Sequence, residues 1–219
     1  MSASCAPSLA GAGGIPRILH RVVPETPNAT ADRWWARFDE LHPGWTLMTH
    51  RDPLDPADWP LTSAYWHHAN DGAQLADMVR LEAVLRHGGV YVDHDVEPVR
   101  SFEPLTATSA FAAWEDERVV PNAVFGATPD HPAVRACLDA LLARLPCDTW
   151  SGGPGVLTAV LPGRNDVLLL PPGTFYPVHY AAVNRNTTLV EGATWFPWTF
   201  AVHHYWGSWL EPARRRVPA

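Results

Sequence analysis

Apolar and polar residues follow one another along this chain in blocks of changing period, and each period predicts an element. "IPRILHRVV", residues 15–23, is a short run of branched apolar side chains between Gly14 and Pro24, which reads as a buried strand. A helix is expected from Thr30, as a possible cap, to Leu41, with Trp34, Trp35 and Phe38 on its apolar side. "WTLMTH", residues 45–50, reads as a second strand, and the proline-dense stretch from Pro53 to Pro60 as a loop. In "QLADMVRLEAVLRH", residues 74–87, apolar side chains fall nearly all round a helix that stops at Gly88, so this helix should be mostly buried. It carries Asp77 and Arg80 three apart on one side, and Glu82 and Arg86 four apart on another.

"VYV", residues 90–92, then predicts a strand, and "AFAAW" (110–114) and "NAVFGA" (122–127) two more. A helix is expected over His131 to Leu145; the glycines and proline of "SGGPG" separate it from another that starts near Val156. "FAVHHYWGSW", residues 200–209, begins like a strand and ends in polar and aromatic side chains. Strands that alternate with helices imply a mixed α/β sandwich.

Composition narrows the function. The chain of 219 residues carries a net charge of −7 and no lysine, so every fixed positive charge is an arginine, which argues against a nucleic-acid partner. Cys5, Cys137 and Cys147 make neither an even disulfide set nor a close-spaced zinc pattern, which points to a reducing, cytoplasmic location. "MSASCAPSLAGAGG" lacks the charged start and apolar stretch of a secretory signal, and no apolar run is long enough to span a bilayer. The expected organisation is a flexible tail over residues 1–14 and a single domain over 15–219.

The chemistry gathers at "GGVYVDHDVEPV", residues 88–99. If the backbone stays extended beyond the strand, Asp93 and Asp95 face one side and His94 the other. Two carboxylates so close repel unless a positive charge lies between them, and their hard oxygens suit magnesium or manganese, with coordination positions left open for phosphate. The end of a strand in an open α/β sheet is also where ligands collect. Solvated turn acids are the plain alternative for an isolated D-x-D. The helix before it would place an anion-binding arginine, Arg80, and a hydroxyl-binding carboxylate, Asp77, near the ion.

Taken together, "IPRILH", "ADMVRLEAVLRHGGVYVDHDVEPV", "NAVFGATPDHP", "SGGPGVLT" and "AVHHYWGSW" resemble the DXD-containing glycosyltransferase family, family 32-like, that includes yeast-type mannosyltransferases and bacterial capsule or glycolipid transferases. The resemblance runs from residue 15 to 209. It implies a GT-A fold, a Rossmann-like mixed sheet flanked by helices, and a metal-dependent, retaining transfer of a sugar from a nucleotide-sugar donor to a hydroxyl of a glycan, lipid-linked or small-molecule acceptor. A UDP-sugar is the favoured donor and GDP-mannose the next, with Mn2+ or Mg2+ as cofactor.

By the same resemblance, Asp95 is the main metal ligand, and Asp93 binds donor hydroxyls and helps hold the ion. Asp77 and Arg80 match the family's Asp-x-x-Arg helix and would hold the donor sugar. His204, or else His203, completes the metal shell. Ser208 and Trp209 donate to the diphosphate, Trp209 and Arg80 offsetting its charge, while Asn122 and the backbone at Gly153 and Pro154 line the sugar or acceptor pocket. Val23 stands where relatives often carry tryptophan, at the end of the first strand. Two rivals from other classes are a D-x-D phosphatase, which normally also uses a lysine, and a carbohydrate-binding module, whose tryptophans would stack on sugars without need of the acid pair.

Overall fold

The computed structural model describes residues 13–26, 28–183 and 195–206. In chain order the elements are β1 (Ile18–Val23), α1 (Ala29–Leu41), β2 (Thr46–Arg51), α2 (Gly72–His87), β3 (Gly89–Val92), β4 (Val96–Pro98), β5 (Ala110–Ala113), β6 (Val124–Ala127), α3 (Pro132–Arg144), α4 (Thr149–Gly152), α5 (Pro154–Val160), β7 (Leu168–Leu170), α6 (Tyr180–Val183) and β8 (Ala201–His203). Short 3-10 turns at 56–58, 63–68 and 103–107 fill the connections. Among the described residues no helix is long and apolar enough to cross a membrane.

Six strands form one mixed sheet in the order β2-β1-β3-β6-β5-β7. β1 runs parallel to β2 and β3, β6 is antiparallel to β3 and β5, and β7 is parallel to β5. Alternation along the strands sorts side chains into two cores. Tyr91, Ala110, Ala112 and Phe125 join Met78, Leu85, Leu138, Leu141 and Val156 on the face covered by α2, α3 and α5. Val90, Val92, Phe111 and Val124 join Phe38, Phe102 and Phe175 on the other. Each buried Val, Leu, Met or Phe among them contributes about 1.5 to 3 kcal/mol.

α2 occupies the middle of the first core, and most of it is buried, as its all-round apolar pattern requires. Asp71 caps it, accepting from the backbone N of Ala73 and Gln74. Gly88, at φ +64°, ends it and turns the chain into β3; a Cβ there would lie 2.6 Å from the Pro129 ring. Glu82, on α2 and fully buried, accepts from the backbone N of Leu61 and Thr62 and from Thr62 Oγ1, and pairs with Arg86 at 3.3 Å. It is therefore the anchor of the loop before α2, more than a surface i, i+4 partner.

Several elements differ from expectation. Asn28, not Thr30, caps α1, because its Oδ1 accepts from Ala31 N at 2.9 Å. β7, whose three leucines are partly exposed, carries no clear period in the sequence. β4 and β8 leave the main sheet and pair with each other as a two-stranded antiparallel ribbon, Val96 opposite His203 and Pro98 opposite Ala201.

Candidate active site

β3, an interior strand, carries the chain to Asp93 at its carboxyl end, where the expected extended run stops. Asp93, His94 and Asp95 instead form a turn, with Val96 N donating to Asp93 O at 3.1 Å and Asp93 N donating to Ala123 O at 2.8 Å. The acids therefore converge through a turn, not by strand alternation. His94 is half-buried, its ring edge-on to Trp206 at 5.8 Å.

The ribbon then lays residues 203–206 over Asp95, which is 2% exposed. Asp95 Oδ2 accepts from Trp206 N at 2.9 Å, and Asp95 Oδ1 lies 3.2 Å from His203 Nε2. Burial alone would raise the Asp95 pKa, but His203 and the Trp206 N–H outweigh it and hold the carboxyl well below the usual carboxylate range. Burial pulls His203 the other way, yet Asp95 and Asp93 lift its pKa above the ordinary value.

Of the two neighbouring histidines, the structure brings His203 to the acids. Asp93, Asp95 and His203 each offer an atom within 4.8 Å of the others. His204, the first choice from sequence, points elsewhere: its Nε2 is 2.9 Å from Glu97 Oε2 and its ring 4.4 Å from that of Trp34. Consecutive residues leaving a strand face opposite sides, so only the His203 imidazole reaches the Asp95 carboxylate, while His204 meets Asp95 through its backbone N, which donates to Asp95 O at 3.0 Å.

These residues fit a divalent cation. Two carboxylates and an imidazole make a mixed oxygen and nitrogen set of the kind manganese accepts. His203 Nε2 is buried and, despite its approach to Asp95, has no aligned hydrogen-bond partner among the described residues. A buried polar nitrogen without a partner is costly, and a cation would satisfy it.

Asp93 is held from behind. Its Oδ1 accepts from Tyr91 Oη at 2.7 Å and lies 3.2 Å from an Arg80 guanidinium nitrogen; its Oδ2 is 3.4 Å from another. Arg80 is itself enclosed: it donates to Ala76 O at 3.2 Å and Asn122 O at 2.9 Å, pairs with Asp77 at 3.3 Å, and sits 4.7 Å above the Tyr91 ring. Burial works against its charge, but Asp93, Tyr91 and Asp77 outweigh that and raise its pKa. Arg80 therefore fixes two carboxylates in place while it also lines the cleft beside them.

Asp77 Oδ1 accepts from Asn122 Nδ2 at 2.7 Å, whereas Asp77 Oδ2 is buried with no partner among the described residues. Burial pushes Asp77 up to about 6, against the opposing pull of Arg80 and Asn122. Gly153 closes over this carboxylate, and a Cβ there would lie 2.9 Å from Asp77 Oδ2 and 3.2 Å from Asn122 Nδ2. Asp77, Arg80, Asn122 and Gly153 thus share one site, while Pro154 opens α5 beside it. Ser208 and Trp209 lie outside the described residues.

A cleft of about 600 Å³ runs from the ends of β1 and β2 and the start of α2 to the acid turn, lined among others by Val23, Asp52, Leu54, Asp71, Arg80, Asp93 and Asp95. Val23 does line it, so the position noted for its missing tryptophan faces the cleft. Sequence reasoning missed Tyr91, Trp206 and Glu97. Tyr91 was findable, since it stands two residues before Asp93 in a strand and hence on the same side.

Residues 38–112 match the glycosyltransferase sugar-binding region containing DXD motif. Human alpha-1,4-N-acetylglucosaminyltransferase is 26% identical over 167 residues, 67% of this chain and 48% of that protein. A mannosyl phosphorylinositol ceramide synthase of Saccharomyces cerevisiae is 26% identical over 125 residues, 54% of this chain and 33% of that one. The chain thus spans about half or less of the length of these curated relatives. Among solved structures, PaToxG glycosyltransferase superposes with a TM-score of 0.58 at 17% identity, covering 68% of this chain and 69% of that one. The ligand-free glycosyltransferase domain from the YGT toxin gives 0.51 at 10% identity, covering 72% and 80%. These likenesses identify the fold as GT-A, a mixed sheet flanked by helices. By its matched region and these relatives, the chain is similar to the DXD-containing glycosyltransferases.

Proposed function

We propose that this protein is a metal-dependent, retaining glycosyltransferase that moves a sugar from a nucleotide donor to a hydroxyl acceptor. The observation that carries the proposal is the convergence of Asp93, Asp95 and His203 within 4.8 Å at the edge of the 600 Å³ cleft. These three residues would hold Mn2+, or Mg2+ as the second choice. A divalent cation, when bound, supplies positive charge against the negative charge that grows on the departing diphosphate.

The chain's own groups do the rest. Asp77, whose buried Oδ2 has no partner among the described residues, would accept a hydroxyl of the donor sugar, and Asn122 and Arg80 fix its orientation. Arg80 and Tyr91 keep Asp93 in position. Ser208 and Trp209 would donate to the diphosphate. With no protein nucleophile assigned, the acceptor hydroxyl attacks from the leaving-group side and passes its proton to a donor phosphate oxygen. The donor is a UDP-sugar, with GDP-mannose next, and the acceptor a glycan, lipid-linked or small-molecule hydroxyl. Both oxygens of Asp93 are engaged by Arg80 and Tyr91, which disfavours the nucleophilic aspartate that a phosphatase needs.

The test is a panel of UDP-sugars and GDP-mannose turned over with and without manganese. Transfer or donor hydrolysis should depend on the metal, and Asp95→Asn should abolish it without loss of fold. Full activity in chelating buffer refutes the metal role.

A further inference from the structure

Tyr205 is a bulky residue at φ +53°, in the left-handed region that such side chains rarely occupy. Strain of this kind persists only where the surroundings over-determine it. Here the surroundings are specific. Tyr205 is 8% exposed, and its hydroxyl donates to Glu115 Oε1 at 2.7 Å in a buried contact. Glu115, 9% exposed, follows β5 and is tied down in turn: its backbone N donates to Val119 O, and its Oε1 also accepts from Tyr180 N at 2.6 Å. The Tyr205 phenol is thus moored to the main sheet, while its backbone belongs to the segment that leaves the ribbon.

The left-handed turn decides what that segment can reach. His203 precedes it and Trp206 follows it, and both meet the same carboxylate: His203 Nε2 at Asp95 Oδ1, 3.2 Å away, and Trp206 N at Asp95 Oδ2, 2.9 Å away. The chain must double back between them for both to do so. The ring of Tyr205 also packs against that of His203, centroids 4.1 Å apart, with Tyr176 at 6.0 Å on the same imidazole. The ring nitrogens of His203 have no aligned hydrogen bond among the described residues, so ring packing, beside the approach to Asp95, orients the imidazole.

We propose that Glu115 and Tyr205 are positioning residues: their hydrogen bond holds the strained turn that presents His203 and the Asp95 cradle in the geometry needed to bind a divalent cation. Neither touches the reacting atoms. The inference rests on the metal site proposed above and adds residues that the DXD pattern does not contain.

Mn2+ affinity tests it, read from the paramagnetic resonance of the free ion during titration of the full chain, without any donor. Loss of a group that orients a metal ligand typically weakens binding about 10- to 100-fold. Tyr205→Phe keeps the ring and loses the hydroxyl, so it should weaken Mn2+ binding within that range. Glu115→Ala should do the same, the double variant should be no worse than either alone, and Glu115→Gln, whose amide oxygen still accepts, should bind within about threefold of wild type. Metal-free melting of each variant reports folding separately. Tyr205→Phe that melts lower but binds Mn2+ like wild type overturns the positioning role and leaves the metal site standing. Wild-type protein that binds no Mn2+ sinks the metal site, and this inference with it.

Discussion

Substitution of Asp77 by asparagine should make the protein more stable and less active. Asp77 is held at about 6 against an ordinary 3.8, chiefly by burial. A displacement of about two pH units, at about 1.4 kcal/mol each, disfavours the ionised form by about 3 kcal/mol in the folded state. Asparagine imitates the neutral acid: its Oδ1 can still accept from Asn122 and Arg80. Arg80 loses one counter-charge but keeps Asp93 at 3.2 Å, which reduces the gain. The expected net effect at pH 8 is about 1 to 3 kcal/mol, or several degrees in Tm at about 2 to 4 °C per kcal/mol. Because the folded pKa lies above the unfolded one, the wild-type penalty is complete above pH 6 and disappears as pH falls toward 3.8. The advantage of Asp77→Asn should therefore shrink across that window. Thermal and urea unfolding at pH 8, 6 and 4.5 measure it. Transfer should fall about a hundredfold or more, since an amide donor replaces the oxygen offered to the sugar. A variant less stable than wild type at pH 8, or one whose gap is the same at pH 4.5, refutes the reasoning.

Gly153→Ala places a methyl 2.9 Å from both Asp77 Oδ2 and Thr149 O, so it should cost about 1 to 3 kcal/mol and suppress turnover; melting and initial rates check both. Glu82→Ala leaves three donors at Leu61 and Thr62 without an acceptor, at a cost of about 3 to 5 kcal/mol in urea unfolding, whereas Glu82→Gln should lose much less. Burial brings His20 and His50 down to about 4. Their folded pKa values lie below the unfolded ones, so each removes up to about 1.4 kcal/mol of stability per pH unit as pH falls from about 6.5 toward 4. Asp77 acts in the opposite sense over part of that range, so the informative comparison is His20→Asn with wild type: the variant should show the shallower slope, and parallel curves would count against the assignment.

Much of the framework could be read from local pattern. α2 and its stop at Gly88 follow from an all-round apolar helix that meets a residue able to take positive φ. β1, β3 and α3 were equally plain, because each is specified by residues within it. What sequence could not supply was pairing between distant segments. β4 is three residues long and ends in a proline, and it is a strand only because β8 lies beside it. The choice between His203 and His204 depends on that same register, which no spacing within "HHYW" reveals. The acids come together by another route than the sequence suggested: the Asp93 carbonyl, accepting from Val96 N, closes a turn where alternation suggested extended backbone. Glu115 escaped notice because its partner, Tyr205, is 90 residues away.

The ribbon also sets a timetable. Asp95 meets the backbone of Trp206 across 111 positions of sequence, so a chain growing on the ribosome holds its acid turn half-built until the 201–206 segment has emerged. Nascent protein is in this way kept from completing the cluster of Asp93, Asp95 and His203 before the sheet beneath it is in place.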